Sequence, residues 1–566
     1  MNHDSIRDTL ATLKSPQIDS WEEAGNRAFN FTLIGKTQNW EVCLWFPHEF
    51  PYCLPKAQLL TESAIGRLPH VNESGIICIE ESDTLFVDYT RPKEVLSEFI
   101  DSLVKFFNRA VLSIYQDELL DELEGFFSLE TKVNSFYEAD QHAEFLSMRA
   151  SRSNGSPYTT SIPVALHDRK LLPPQSYSDV KKLSQYQTLN IIHIPLENAA
   201  LPPVKGKSFD AQYFNSLKTL ISNSNWRKLH KLTHKLRPSR TFFALLSMPR
   251  SSGERTQFLL KFSADEPFDH PICTTSNKWK IDMFSILHNS RSYLLERGGA
   301  DANLSNKKVA VVGCGSVGSQ IAHMLAKAGI GELVLIDKDV LTADNIYRHQ
   351  LGGSWLSYEA GKNSESIPYV PKVSALKYQL ERDTPYLKVV PKRSNLSEVV
   401  NESELRDCEV IVVAVGSPSL NLQINRSLKE NGFSNLVVCW NEAEGIGGHS
   451  VALDLQKMCY ECLFSSNQGL SSESKLSLLK SGQPVSKNLT GCAGVFTPFS
   501  FLDSNRTAEI ASSQTLSIIL KNQTCTAYSW RAENSGNLQT NSRFKSMPLR
   551  EVLSLQRHPQ CEVCHD

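Results

Sequence analysis

Three glycines set behind an apolar run are the first residues of this chain whose spacing could do chemistry. After KVAVV stand Gly313, Gly315 and Gly318 in the pattern G-x-G-x-x-G. Such glycines permit a tight turn and bring backbone N–H groups against a phosphate at a helix N-terminus. Asp337 closes the next apolar run, ELVLI, where a carboxylate can accept hydrogen bonds from ribose hydroxyls. Both NAD and ATP would fit these four residues. The continuation, DKDVLTADNIYRHQLGG and then VPKVSALK, adds Asp339, Asn345, Arg348 and Lys372. A dinucleotide's pyrophosphate needs few cations, whereas a triphosphate attacked at its α-phosphorus needs fixed positive charge on the attacked and leaving phosphates. Arg348 and Lys372 supply that charge.

Cysteine is the second reactive type, with thirteen copies. Cys459-Tyr-Glu-Cys462 and Cys561-Glu-Val-Cys564 are two CxxC pairs, and a tetrahedral Zn²⁺ site is commonly built from two such knuckles. Soft thiolates favour a structural zinc that staples the C-terminal tail to a sheet; a redox switch is the alternative, and His565 reads as a solvated tail residue. Between the pairs stands Cys492, in the glycine-flanked stretch NLTGCAGVFTPFSF, which suits an accessible nucleophile. A thiolate near an acyl-adenylate would displace AMP and turn an activated carboxylate into a thioester. A buried small cysteine is the plainer reading of that position. Cys43, Cys273, Cys314, Cys408, Cys439 and Cys525 read as core or incidental residues.

These residues need elements to hold them. From Lys307 the pattern KKVAVVG, SQIAHMLAKAGI, ELVLID reads as strand, glycine turn, helix and strand, the opening of a parallel α/β sheet, which EVIVVAV, a helix and LVVCW extend. Residues 1 to about 110 read as a mixed domain with a first helix, the strands FNFTLIG and WEVCLWF, a proline-rich middle and the helix EVLSEFIDSLVKFFNRAV. A second helical piece is expected to run to about residue 150, where MRASRSNGSPYTTS has linker chemistry. Residues 160–290 carry the strands NIIHIPL, TFFALLSM and QFLLKF without a readable site. At 566 residues the chain exceeds the reach of one core, and the expected division is 1–150, 151–295 and 296–566. A formal charge of −2 offers no global attraction to nucleic acid or to an acidic membrane. The start, MNHDSIRDTLATLKS, has no apolar signal-peptide core, and no stretch approaches the roughly 18 apolar residues that cross a bilayer. A soluble cytoplasmic protein with reduced thiols is expected.

With these motifs together, residues 300–566 resemble the ThiF, MoeB and ubiquitin-activating adenylyltransferases. The resemblance implies that Asp337 holds the ribose, that Asn345 and Arg348 contact the phosphates, and that Lys372 stabilises the attacked phosphate. It implies a homodimer in which the arginine crosses from the other subunit, ATP with Mg²⁺, zinc in the paired knuckles, and a crossover-loop role for Cys492. The family sets an Mg²⁺-associated aspartate after the strand matching EVIVVAV, where this chain has Gly416-Ser417-Pro418. Asp339, Glu442 or Glu444 would then take its place.

At the other end, WFPHEFPYCLPKAQL and LPHVNESGIICIEE resemble the ubiquitin-conjugating fold through His70, Asn72, Gly75 and Cys78. By that resemblance Cys78 would receive the acyl group from Cys492 and Asn72 would steady the oxyanion when a lysine attacks. Asn72 lies only six residues before Cys78, a shorter loop than is typical, and a half-buried strand cysteine is the plainer reading. The order of modules resembles the fused activating and conjugating proteins of bacterial type II CBASS antiphage operons. That resemblance implies the C-terminus of a cGAS-like nucleotidyltransferase as donor, a target lysine as acceptor, and a linker or degenerate adenylation-like domain in the middle. Other readings are a sulfur-carrier adenylyltransferase, which leaves Cys78 unexplained, and a nicotinamide-dependent oxidoreductase or non-catalytic scaffold. The expected fold is α/β and multidomain: an N-terminal α+β conjugating-like domain, a middle linker domain, and a C-terminal Rossmann-like domain with a mostly parallel sheet.

Overall fold

The computed structural model describes residues 1–78, 87–112, 115–127, 131–152, 161–168, 186–203, 209–360, 365–368, 370–466, 469–471, 473–489 and 495–565. They form two compact units, one ending at Ser290 and the other beginning at Arg291.

In the first unit α1 (His3–Thr12) starts at Asn2, whose side chain accepts the Ser5 N–H, and buries Ile6 and Leu10. Strands β1 (Ile18–Gly25), β2 (Ala28–Ile34), β3 (Asn39–Trp45), β4 (Lys56–Leu59) and β5 (Ile76–Ile77) form an antiparallel sheet in that order. In β2 and β3 every second residue is buried, with Phe29, Phe31 and Leu33 beside Trp40, Val42 and Leu44. Strand β1 was not expected, because its residues are half-exposed or exposed throughout and carry no apolar alternation. Helix α2 (Pro92–Ala110) buries Leu96, Phe99, Ile100, Leu103 and Phe107, one face of a helix. Trp40 stacks on Phe107 with ring centroids 4.6 Å apart.

Two short helices, α3 (Gln116–Asp121) and α4 (Leu123–Phe126), end the helical stretch. The helix expected to reach residue 150 is replaced by β6 (Lys132–Ser135) and β7 (Phe145–Arg152). With β8 (Ser161–Asp168), β9 (Tyr186–Pro195), β10 (Ser239–Pro249), β11 (Arg255–Phe268) and β12 (Lys280–His288) they close a barrel in the order β10-β11-β12-β6-β8-β7-β9. The border expected near residue 150 thus falls inside a barrel strand. The middle segment, expected as a linker or degenerate adenylation-like domain, adds two helices, Ala211–Leu217 and Asn223–Thr233, to this barrel. Its described residues lack the alternating strands and helices of a nucleotide-binding half. One hydrophobic cluster runs from Ile6 in α1 to Trp279 at the barrel. Glu124 of α4 accepts the Gln257 N–H at 2.6 Å and lies 2.7 Å from His288, so the barrel anchors the short helices.

The second unit is the expected doubly covered sheet. Its elements are β13 (Lys308–Val312), α5 (Ser316–Lys327), β14 (Glu332–Ile336), α6 (Lys372–Asp383), β15 (Lys388–Lys392), β16 (Val410–Val413), α7 (Pro418–Glu430), β17 (Asn435–Asn441), β18 (Gly447–Asp454), α8 (Phe501–Lys521), β19 (Thr526–Arg531) and β20 (Arg550–Ser554). The sheet order is β15-β14-β13-β16-β17-β18-β19-β20. Its first five strands are parallel and its last three join antiparallel. Separate clusters cover the two faces, Val309 and Val311 in one and Ala310 and Val312 in the other, which explains why these strands read as unbroken apolar runs. Among the described residues no helix is long and apolar enough to cross a membrane.

Buried histidines make the first unit sensitive to acid. His193 is fully buried, with Nε2 2.8 Å from Ser247 Oγ and Nδ1 3.0 Å from the His142 carbonyl oxygen. Burial pulls its pKa from 6.5 down to about 3, and does the same to His270. Below about pH 6.5 the unfolded chain therefore binds protons that the folded chain refuses, so stability present above that pH is lost as pH falls toward 3. The melting temperature, followed by circular dichroism, is expected to drop below about pH 6.5, with a cost of about 2 kcal/mol per histidine near pH 5. A midpoint unchanged between about pH 7 and 5 would contradict this burial.

Candidate active site

The first site lies at the C-terminal ends of the parallel strands. Gly313, with φ +83°, follows β13, and its N–H donates to the Ile336 carbonyl at 2.8 Å. A Cβ on Gly318, in the first turn of α5, would fall 1.8 Å from the Gly313 carbonyl oxygen, so strand and helix meet this closely only without a side chain there. The backbone of Cys314, between the glycines, is held from two sides. Asp337 Oδ2 accepts the Cys314 N–H at 2.7 Å, and His349 Nε2 donates to the Cys314 carbonyl at 2.8 Å. The His349 tautomer follows from Nδ1, which accepts the Leu351 N–H at 3.0 Å. Burial holds the pKa of His349 down to about 4, so the ring stays neutral. Gly315 caps α5 without a side-chain bond, which leaves the N–H groups of the first helical turn for an anion.

Asp337 Oδ1 also accepts the Asp339 N–H at 2.8 Å. Each oxygen keeps a second lone pair that a ribose hydroxyl can use. Lys372 opens α6, its N–H donates to the Asp339 carbonyl at 3.1 Å, and its largely buried Nζ lies 3.3 Å from Asp339 Oδ2. A cavity of about 580 Å³ is lined by Gly313, Gly315, Asp337, Asp339 and Lys372, and also by Leu396, Val415, Leu420 and Ile424. It thus combines a charged wall with an apolar one, which suits a nucleotide's phosphates and base.

Two sequence-derived residues stand elsewhere. Asn345 Oδ1 accepts the Thr342 N–H and hydroxyl, both at 3.2 Å, in a capping box, and the Arg348 guanidinium lies 4.8 Å from the Phe499 ring centroid. Neither lines the cavity, and Gly318 shapes it only from behind. Where the family sets its aspartate, Ser417 caps α7 and Pro418 opens it. Of the three acids considered in its place, Asp339 alone lines the cavity. Glu442 is buried, binding His449 Nε2 at 3.0 Å and the Leu478 N–H at 2.9 Å, and Glu444 pairs with Lys487 at 3.2 Å. Asn395, Ser397 and Gln423 also line the wall. They follow strands β15 and β16, and only the rule that ligands bind beyond carboxyl strand ends could have singled them out.

The four knuckle cysteines converge, all sulfurs lying within 4.8 Å of one another. Cys459 and Cys561 are 3.5 Å apart, and Cys462 and Cys564 3.7 Å. A tetrahedral ion with Zn–S bonds of about 2.3 Å sets its sulfurs about 3.8 Å apart, whereas a disulfide needs about 2.05 Å. The set therefore fits zinc. Lys429 Nζ, 3.6 Å from Cys564 Sγ, offsets thiolate charge, and Arg426 grips Glu461 inside the first knuckle at 2.9 and 2.5 Å. Cys492 lies outside the described residues. Its flanks pair as a short ladder, Lys487–Asn488 against Val495–Phe496.

In the first unit Cys78 is exposed just past β5, and its N–H donates to the His70 carbonyl at 2.8 Å. His70 holds a φ of +56°, its Nδ1 is 2.7 Å from Glu122 and its Nε2 3.3 Å from Glu118, which makes it a clamp on the cysteine's segment. Asn72 Oδ1 accepts the Ser74 and Ile76 N–H groups at 3.0 and 2.9 Å. Any oxyanion contact must then come from Nδ2. Cys53, half-buried, escaped the sequence reading, and Cys273 is exposed, while Cys314 and Cys439 are core residues as expected.

Family comparisons agree with this geometry. The ThiF family matches residues 290–563, and prokaryotic E2 family B matches residues 15–136. The ATP-dependent ubiquitin transferase-like protein Cap2 of Pseudomonas aeruginosa is 26% identical over 243 residues, 42% of this chain and 41% of that protein. Its Escherichia coli counterpart is 24% identical over 279 residues, 48% of this chain and 42% of that protein. The molybdopterin-synthase adenylyltransferase of Salmonella typhimurium is 26% identical over 122 residues, 22% of this chain and 45% of that protein. The chain thus spans less than half the length of these curated relatives. Residues 15–136 match prokaryotic E2 family B and residues 290–563 match the ThiF family, so that one chain, similar to the Cap2 ubiquitin transferase-like proteins, carries a conjugating-type and an activating-type domain.

Proposed function

We propose that this protein adenylates the C-terminal carboxylate of another protein, captures the acyl group on Cys492, passes it to Cys78 and joins it to a lysine. The observation that carries the reading is the cavity wall where the glycine turn, Asp337, Asp339 and Lys372 meet. The carboxylate oxygen attacks the α-phosphorus of ATP and pyrophosphate leaves. Lys372 and the N–H groups of α5 oppose the negative charge that grows there. The Cys492 thiolate then attacks the acyl carbon and AMP departs. Thiol exchange moves the acyl group to Cys78, and a lysine amine displaces that thiolate to form an amide. Asp339 offers the hard oxygens that would hold Mg²⁺, which neutralises phosphate charge when bound. The four knuckle thiolates would hold a structural zinc that ties the tail to α7.

The finer reading follows the Cap2 relation. The donor is the C-terminus of a cGAS-like nucleotidyltransferase, the acceptor a lysine of a target protein, and the setting antiviral defence in the cytoplasm. The active form is a homodimer in which Arg348 reaches the partner subunit's nucleotide. The similarity to molybdopterin-synthase adenylyltransferase favours a second reading, sulfur-carrier activation, for the nucleotide half alone. An exposed Cys78 in an E2-family domain weighs for conjugation.

Lys372→Ala and Gly318→Ala are each expected to lower ATP–pyrophosphate exchange, measured with the donor protein, by about a hundredfold or more; exchange at the unaltered rate would move the reaction out of this cavity. On non-reducing gels Cys492→Ala should abolish every thioester, while Cys78→Ala should keep the Cys492 thioester and lose the conjugate. Conjugation that persists without Cys78 would remove its carrier role. Elemental analysis should find about one zinc per chain, and Cys459→Ser should lose the metal and lower the melting temperature; a metal-free native protein would contradict the staple.

A further inference from the structure

Trp45 and Lys56 form an exposed cross-strand pair on the first unit's sheet, and the register of that sheet, carried one residue past β5, reaches Cys78. Strands β3 and β4 pair Trp45 with Lys56, and β4 and β5 pair Ala57 with Ile77 and Gln58 with Ile76. Continuing the second register by one residue sets Lys56 opposite Cys78. The alternation agrees, since Ala57 and Ile77 are buried while Lys56, Gln58, Ile76 and Cys78 are exposed. Residues opposed on one face of an antiparallel pair have Cβ atoms about 5 Å apart, a gap that the flexible stem of a lysine spans.

The Lys56 ammonium lies 5.5 Å from the ring centroid of Trp45, on the side of β4 away from Cys78. Among the described residues no carboxylate pairs with it, and Trp45 is 52% exposed. A cation resting on an exposed ring is weakly held. The side chain can therefore swing across β4 from the ring to the cysteine.

We propose that Lys56 is a modification site, where the acyl group carried as a thioester on Cys78 passes in cis to the Lys56 amine and leaves an amide-linked self-conjugate. The proposal rests on the reading of Cys78 as the acyl carrier. In the step the neutral amine attacks the thioester carbonyl, the C–N bond forms, the C–S bond breaks, and Cys78 leaves as a thiolate. The proton shed by the nitrogen goes to that thiolate or to water, and no other reagent enters. Because nucleophile and acyl carbon share one sheet, the transfer competes with any acceptor that must first diffuse in. The acyl group it takes is of one chemical class, a peptide or protein ending in an activated carboxylate.

The test avoids the nucleotide half. The 566-residue chain is incubated in mildly alkaline buffer with a short peptide bearing a C-terminal mercaptoethanesulfonate thioester, which loads thiols by exchange, and acylated residues are located by mass spectrometry. The peptide is expected on Lys56 as an amide, with occupancy about tenfold lower or less in Cys78→Ala. Lys56→Arg should keep the thiol-sensitive adduct on Cys78 and lose the amide. An unmodified Lys56 beside a loaded Cys78 overturns the proposal and leaves the carrier reading intact. Equal Lys56 occupancy in Cys78→Ala also overturns it, since the reagent then acts directly. A Cys78 that takes up no peptide removes the carrier reading and the proposal together.

Discussion

The Cys314 backbone is gripped on both sides, its N–H by the Asp337 carboxylate and its carbonyl by the neutral His349 ring. Much of the second unit depends on this pair of contacts. They fix the turn after β13, and the turn brings the N-cap of α5, Gly315, to the cavity wall. A hydrogen bond to a charged group contributes about 1.5–3 kcal/mol and a neutral one about 1, so the clamp is strong for the backbone of a single residue. It is also exacting. Gly318 lies so near the Gly313 carbonyl that a methyl group would collide with it, and a protonated His349 could no longer accept the Leu351 N–H.

Around that clamp the sheet sorts its charges. Apolar residues cover both faces of the parallel strands, so the polar groups needed for chemistry appear where strands end and helices begin. Lys372 shows how such a charge is kept. It is largely buried, yet both its backbone and its ammonium are tied to Asp339, a carboxylate that also faces the cavity. The cysteine knuckles bring Cys561 and Cys564 against Cys459 and Cys462, and the Cys459–Cys462 knuckle is itself tied to α7 through Arg426 and Glu461. In the first unit a comparable role falls to Glu118 and Glu122, which hold His70 and through it the backbone of Cys78.

What could be read in advance was whatever local spacing encodes. The glycine turn, Asp337 and Lys372 follow one another within a strand–turn–helix pattern, and paired CxxC motifs announce their own geometry. Non-local structure stayed hidden. Strand β6 has four residues and alternates too briefly to register, and the barrel closes by pairings between distant segments that no local period reveals. Strand β1 has no buried alternation to betray it. His349 lies in the quoted run YRHQ, but its role depends on a carbonyl far back along the chain. Asn345 and Arg348 were read as phosphate ligands, while within one chain they cap a turn and cover Phe499. Cys492 falls outside the described residues.

The central claim is that the charged cavity serves ATP and adenylation chemistry, not a nicotinamide. Calorimetric titration of the full chain with ATP·Mg²⁺ and, separately, with NADH tests it most directly. ATP is expected to bind, to be displaced by AMP, and to lose its binding when Asp337 is replaced by alanine, while NADH gives no heat. Preferential binding of NADH, or ATP binding indifferent to Asp337, would contradict the account.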